Sequence, residues 1–92
     1  MDPFARFKDL LNENFQFPAT YVHKFIGPNT DEFRSHVANF EKKFIGFVKT
    51  GEKLSASSAH VSFTYDYLAA NAEDVVSLTI ETRNLPGILY IL

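Results

Sequence analysis

The chain contains no cysteine, which removes disulfides, thiolate nucleophiles and sulfur-ligated metal sites together. Glycine and proline are sparse, four of each, and no linker or low-complexity segment divides the chain. Basic residues form no run. Nine Lys and Arg are interspersed with eleven Asp and Glu, for a formal net charge of −2. Nothing here supplies the clustered cationic surface with which nucleic-acid binders displace counterions, so nucleic acid is not an expected partner. No apolar run approaches the ~20 residues of a membrane span. The first fifteen residues carry charges throughout, unlike a signal peptide. A soluble, cytoplasmic protein with no membrane contact is the default expectation.

What is present is aromatic. Of 92 residues, 46% are hydrophobic, with ten Phe and four Tyr. That length suits one domain, and that composition a packed interior built largely from rings rather than a disordered chain.

Asp2-Pro3 reads as a helix start. Phe4, Phe7 and Leu11 then share one face of a short amphipathic helix ending near Asn14. Residues 1–16 are read as a helical extension and 17–92 as the domain proper. Phe17 to Ile26 is the first strand, with Pro18 at its start and Gly27-Pro28-Asn29 breaking it. Tyr21, His23 and Phe25 point one way, and Val22, Lys24 and Ile26 the other. Asn29 with Glu32 makes a plausible capping box for the next helix, with Thr30 as the other candidate cap. Phe33, Val37, Phe40 and Phe44 form its buried stripe, and Gly46 stops it.

Phe47 to Leu54 is a weaker strand with a bulge or bend at Thr50-Gly51-Glu52. Val61, Phe63, Tyr65 and Tyr67 alternate with His60, Ser62, Thr64 and Asp66, the clearest half-buried strand in the chain. Asn71 caps a last helix, with Glu73 and Asp74 in its first turn and Val75, Leu78, Thr79 and Thr82 on its inner side. Gly87 to Leu92 is a final strand. After the first helix the order is β-α-β-β-α-β. Right-handed crossovers make that an α+β, ferredoxin-like sandwich: a four-stranded antiparallel sheet with two helices on one face.

Phe17-Pro18, then Lys24 and Gly27 at the end of the first strand, this element order and a last strand closing at Leu92 together resemble the YbeD-like family. That family is a group of small bacterial ferredoxin-like domains of unknown function. The resemblance covers roughly residues 17–92. The chain departs from it at Ala56-Ser57-Ser58, where family members tend to carry Gly-x-Tyr, and in its longer N-terminal helix. The resemblance implies likeness to amino-acid-binding ACT regulatory domains and a proposed link to lipoate metabolism. Both are analogies of fold, which does not by itself fix function.

Catalytic signatures are missing. The three histidines have no metal-ligand spacing such as H-E-x-x-H. Ser55, Ser57 and Ser58 sit in no G-x-S-x-G elbow, and Gly27-Pro28-Asn29 lacks the glycine run and lysine of a phosphate loop. The arginine loop of acylphosphatases and the C-x-x-C of copper chaperones are absent. Phe63 and Tyr65 run in phase with Val61, toward the helices, unlike the exposed aromatics of RNA-recognition motifs. No catalytic residue, metal or cofactor is expected, and the protein is read as no enzyme.

The sheet face opposite the helices is more informative. With Tyr21, His23, Phe25, Val61, Phe63, Tyr65, Ile88 and Tyr90 inward, period two turns Val22, Lys24, Ile26, Leu89 and Ile91 outward. First and last strands are neighbours in this fold, so four aliphatics would surround Lys24 in one patch. A contiguous apolar patch implies a cover: a second copy, another protein, or the N-terminal helix. The leading expectation is a non-enzymatic regulatory or interaction module using that face. The alternative is an ACT-like sensor of an amino acid or lipoate-related ligand at Gly27, Pro28 and Asn29, where glycine permits close approach and a helix N-terminus attracts carboxylates.

Overall fold

A computed structural model describes residues 2–92. The elements are α1 (Ala5–Asn14), β1 (Ala19–Pro28), α2 (Asp31–Glu41), β2 (Phe47–Leu54), β3 (His60–Ala69), α3 (Ala72–Arg83) and β4 (Tyr90–Ile91). The four strands form one antiparallel sheet in the order β2-β3-β1-β4. Buried residues of α2 and α3 share a single core with the inward side chains of β1 and β3. This is the expected ferredoxin-like sandwich, with β1 and β3 at its centre.

The core is made of rings. Phe25 stacks on Tyr65 at 5.6 Å, and Phe47 lies nearly parallel to Tyr65 at 4.1 Å. Phe40 meets Phe25 and Phe47 edge-on. Aromatic pairs contribute about 0.5–1.5 kcal/mol each beyond burial, so this cluster ties α2, β1, β2 and β3 together. The Tyr65 hydroxyl donates to Glu41 Oε2 at 2.6 Å. Burial and that carboxylate both hold the phenol in its protonated form.

Local sequence explains the helix ends. Thr30 is the cap of α2, its Oγ1 accepting from the Phe33 N–H at 3.1 Å. Asn71 Oδ1 caps α3 by accepting from Asp74 N–H at 2.9 Å, and Asp74 Oδ2 returns to the Ala70 N–H. Helix α2 ends at Glu41, short of Gly46. Phe44 therefore lies in the connection and reaches the core from there, while Gly46 takes the left-handed turn at φ +73°. The bulge in β2 falls between Lys49 and Gly51.

Three expectations need correction. Gly27-Pro28 does not break β1: Gly27 pairs with Val61 and Pro28 with His60, and the Asn29 N–H continues to Ala59 O. Gly27 stays in the strand because a Cβ there would collide with the Phe33 ring. Second, Asn29 is not the helix cap; its side chain is spent elsewhere, as described below. Third, the final segment changes phase. Tyr90 stands opposite Ile26, yet the Leu89 N–H already donates to Ile26 O at 3.0 Å. Two residues thus face one, as in a bulge, and the alternation shifts. Ile91 pairs with the fully buried Phe25 and packs against the core, while Tyr90 and Leu92 point outward.

Helix α1 packs on α3. Leu11 is buried, Phe4 and Phe7 lie against the core, and the Arg83 guanidinium sits 5.7 Å over the Phe4 ring. The amphipathic extension thus satisfies its apolar stripe on the helical side. It leaves the opposite sheet face bare.

Candidate interaction surface

The outer sheet face is built by the period of two. On β1 it carries Val22, Lys24 and Ile26; on β3, Ser62, Thr64, Asp66 and Leu68, all alternating with the buried residues of those strands. Register aligns the rows. Val22 and Val48 flank Asp66, Thr20 lies beside Leu68, and Lys24 lies beside Thr64. Val22, Val48, Leu68, Tyr90 and Leu92 are each between 60% and 65% exposed. Ile45 stands at the rim, almost wholly in solvent, next to Gly46, whose carbonyl accepts from the Leu68 N–H. Ile26 and Lys24 are half-buried.

Four of the five residues assigned to this face from the sequence therefore lie on it or at its margin: Val22, Lys24, Ile26 and Leu89. Ile91 does not, because of the phase shift. Leu68 was legible, since it continues the alternation of β3 after Tyr67; Val48 was not, because the weaker β2 pattern assigned no face to its residues. Tyr90 and Leu92 were not, because nothing in Gly87 to Leu92 signals an extra residue.

The turn at Gly27, Pro28 and Asn29 has a different character. Gly27 is buried under Phe33, so the close approach it permits is that of a ring of the same chain. Asn29 Oδ1 accepts from Arg34 Nε and Nη2, and its Nδ2 donates to Ser58 O. Arg34 reaches on to Glu52 at 2.9 Å. This clamp joins the end of β1 to α2, β2 and the β2–β3 loop. A shallow cleft of about 260 Å³ opens beside it, lined by Pro28, Thr30, Glu32, Phe33, His36, Pro86 and Gly87. Asp31 and Glu32 occupy the first turn of α2, where they already use the helix dipole that an anionic ligand would need.

His23 is a core residue. It is 1% exposed, and Nε2 lies 2.9 Å from Thr82 Oγ1. That hydroxyl donates its hydrogen to Leu78 O at 2.7 Å. His23 Nε2 is therefore the protonated nitrogen, donating to the Thr82 oxygen. Nδ1 has no partner among the described residues. Burial pushes the imidazole down to about 4 from an ordinary 6.5. His36 is 3.9 Å from Glu32 on α2, and His60 is exposed on β3. No group of three His, Asp or Glu among the described residues is placed to hold a metal ion. No helix among them is long and apolar enough to cross a membrane.

Comparison with known proteins identifies a family. Residues 12–92 match the family described as "Protein of unknown function (DUF493)". The UPF0250 protein PM1928 of Pasteurella multocida (strain Pm70) is 28% identical over 91 residues, covering 98% of this chain and 99% of that protein. No solved structure matches significantly. The chain belongs to the DUF493 family of proteins of unknown function, consistent with the YbeD-like resemblance carried by Phe17-Pro18, Lys24 and Gly27.

Proposed function

We propose that this protein is a non-enzymatic interaction module that works through its outer sheet face. One observation carries the reading: a two-layer sandwich with an extra helix available leaves its aliphatic sheet face bare, because α1 docks on α3 instead. Scattered exposed aliphatics are normal on a soluble protein. Val22 and Val48 instead flank Asp66 from the two strands on either side of β3, with Leu68 diagonal to both and Ile45 beyond it. An exposed aliphatic cluster of this kind supports a contact surface. Lys24, half-buried beside it, would orient the partner.

A small-ligand sensor at Gly27, Pro28 and Asn29 has less behind it, since those residues serve Phe33, Arg34 and Ser58.

The test is crosslinked affinity capture of the wild-type chain against a Val22→Glu/Leu68→Glu double variant. Both substitutions are at exposed positions, so the variant should keep its fold and melt within about 1 kcal/mol of wild type. Loss of the captured species with the fold intact is expected. Unchanged capture from the folded variant would remove the proposal.

A further inference from the structure

We propose that the partner of the outer sheet face is a second copy of this chain, packed sheet on sheet about a two-fold axis. In that dimer, Lys24 of each copy sits against Asp66 of the other. This rests on the reading that the face is a contact surface, and adds what covers it.

Charge carries the inference. The ion pairs among the described residues are Lys8–Asp2, Arg34–Glu52, His36–Glu32, Lys43–Glu81 and Lys49–Glu52. None involves Lys24 or Asp66. Asp66 is in the middle of β3 with Val22 and Val48 as its two cross-strand neighbours. Aspartate is disfavoured in strands, and two valines return nothing to its carboxylate. Lys24 faces Thr64, which places it diagonal to Asp66 on the same side of the sheet, roughly 7–8 Å away by strand geometry. A long side chain could close that gap, yet no ion pair forms within the protomer.

A face of one sign would call for a partner of the opposite sign. Around Val22 this face instead carries an unpaired cation, Lys24, and an unpaired anion, Asp66, set diagonally, with a second unpaired cation, Lys53, beside Ser62 toward the far end of β2. The Lys24–Asp66 diagonal is self-complementary. An axis lying in the interface that puts Lys24 over Asp66 of the other copy also puts Asp66 under the other Lys24, as isologous contacts require. The same operation brings the two Val22 side chains close together, so Val22, Lys24 and Asp66 are satisfied at once. At ~4.8 Å between strands and ~3.3 Å per residue, the face projects roughly 500 Å². Stable interfaces use about 800 Å² per partner, so the dimer should assemble at micromolar concentration and dissociate on dilution.

Sedimentation velocity from about 1 to about 500 µM, a range bracketing micromolar dissociation constants, tests this on the whole chain. Wild type should show a reversible monomer–dimer equilibrium. Lys24→Asp and Asp66→Lys should each weaken it at least about tenfold, because each sets like charges face to face. An equimolar mixture of the two variants should dimerise again, since both contacts then join opposite charges. Circular dichroism of each variant separates lost association from lost fold. Wild type that stays monomeric, dimers indifferent to both reversals, or a mixture that fails to recover would overturn the proposal. If wild type is monomeric but Val22→Glu/Leu68→Glu still abolishes capture of a different protein, the second-copy inference falls and the interaction face stands. If that variant changes neither association nor capture, both fall.

Discussion

Protonation of His23 should destabilise this protein, and the size of the effect can be worked from its surroundings. The imidazole is 1% exposed, its one hydrogen is committed to Thr82, and Nδ1 has nothing to donate to among the described residues. The folded state therefore prefers the neutral ring, down to about 4 against an ordinary 6.5. The stability this preference contributes is fully present above pH 6.5. It is lost as the unfolded chain takes up a proton that the folded chain refuses, down to about pH 4. The whole span corresponds to about 3 kcal/mol, at ~1.4 kcal/mol per unit of displacement. Between pH 7 and pH 5, before most carboxylates titrate, the loss is roughly 2 kcal/mol. Urea melts followed by circular dichroism at pH 7, 6 and 5 measure it. His23→Gln keeps a donor toward Thr82 and cannot titrate, so its stability should be nearly flat over that range, whatever its value at pH 7. If wild type and His23→Gln have the same pH slope, or wild type gains stability on acidification to pH 5, the buried neutral imidazole is wrong.

Other consequences are as specific. Thr82→Val leaves the His23 Nε2–H without an acceptor and should cost about 1–3 kcal/mol in urea melts. Thr79→Val, which removes a hydroxyl bonded to Val75 O at a half-buried site, should cost clearly less. Gly27→Ala sets a methyl into the Phe33 ring and should cost about 1–3 kcal/mol. Phe33→Leu should be less damaging in the Gly27→Ala background than alone, and a thermodynamic cycle of melts would show simple additivity if the contact is not real. Arg34→Ala releases Asn29 and Glu52 together. Proteolysis or hydrogen exchange should report loosening at the Ser55–His60 loop, with the core unaffected.

Much of this protein could be read from its residues because its strands alternate cleanly. Val61 to Tyr67 fixed the inward face of β3, and antiparallel register then carried the same assignment to Tyr21, His23 and Phe25. The Asn71 cap and the Val75, Leu78 and Thr82 stripe were equally plain, since polar caps and helical spacing are local signals. What failed was set by tertiary contact. Gly27-Pro28 has the composition of a break, but pairing with β3 and the room needed by Phe33 keep it in the strand. The extra residue at Leu89-Tyr90 has no sequence signature, and it exchanged Ile91 for Tyr90 and Leu92 on the outer face. The docking of α1 was open for the same reason: Phe4, Phe7 and Leu11 show an apolar stripe, not the surface it meets.

The most direct examination of the outer face is site-specific photocrosslinking in cells. A benzophenone side chain would be placed at Val22 in one strain and at Ser35, exposed on α2, in another. Crosslinked adducts from position 22 and none from position 35 are predicted, with the position-22 adduct running at twice the chain mass if the partner is a second copy. Adducts from position 35 with none from position 22 would contradict the outer sheet face as the working surface of this protein.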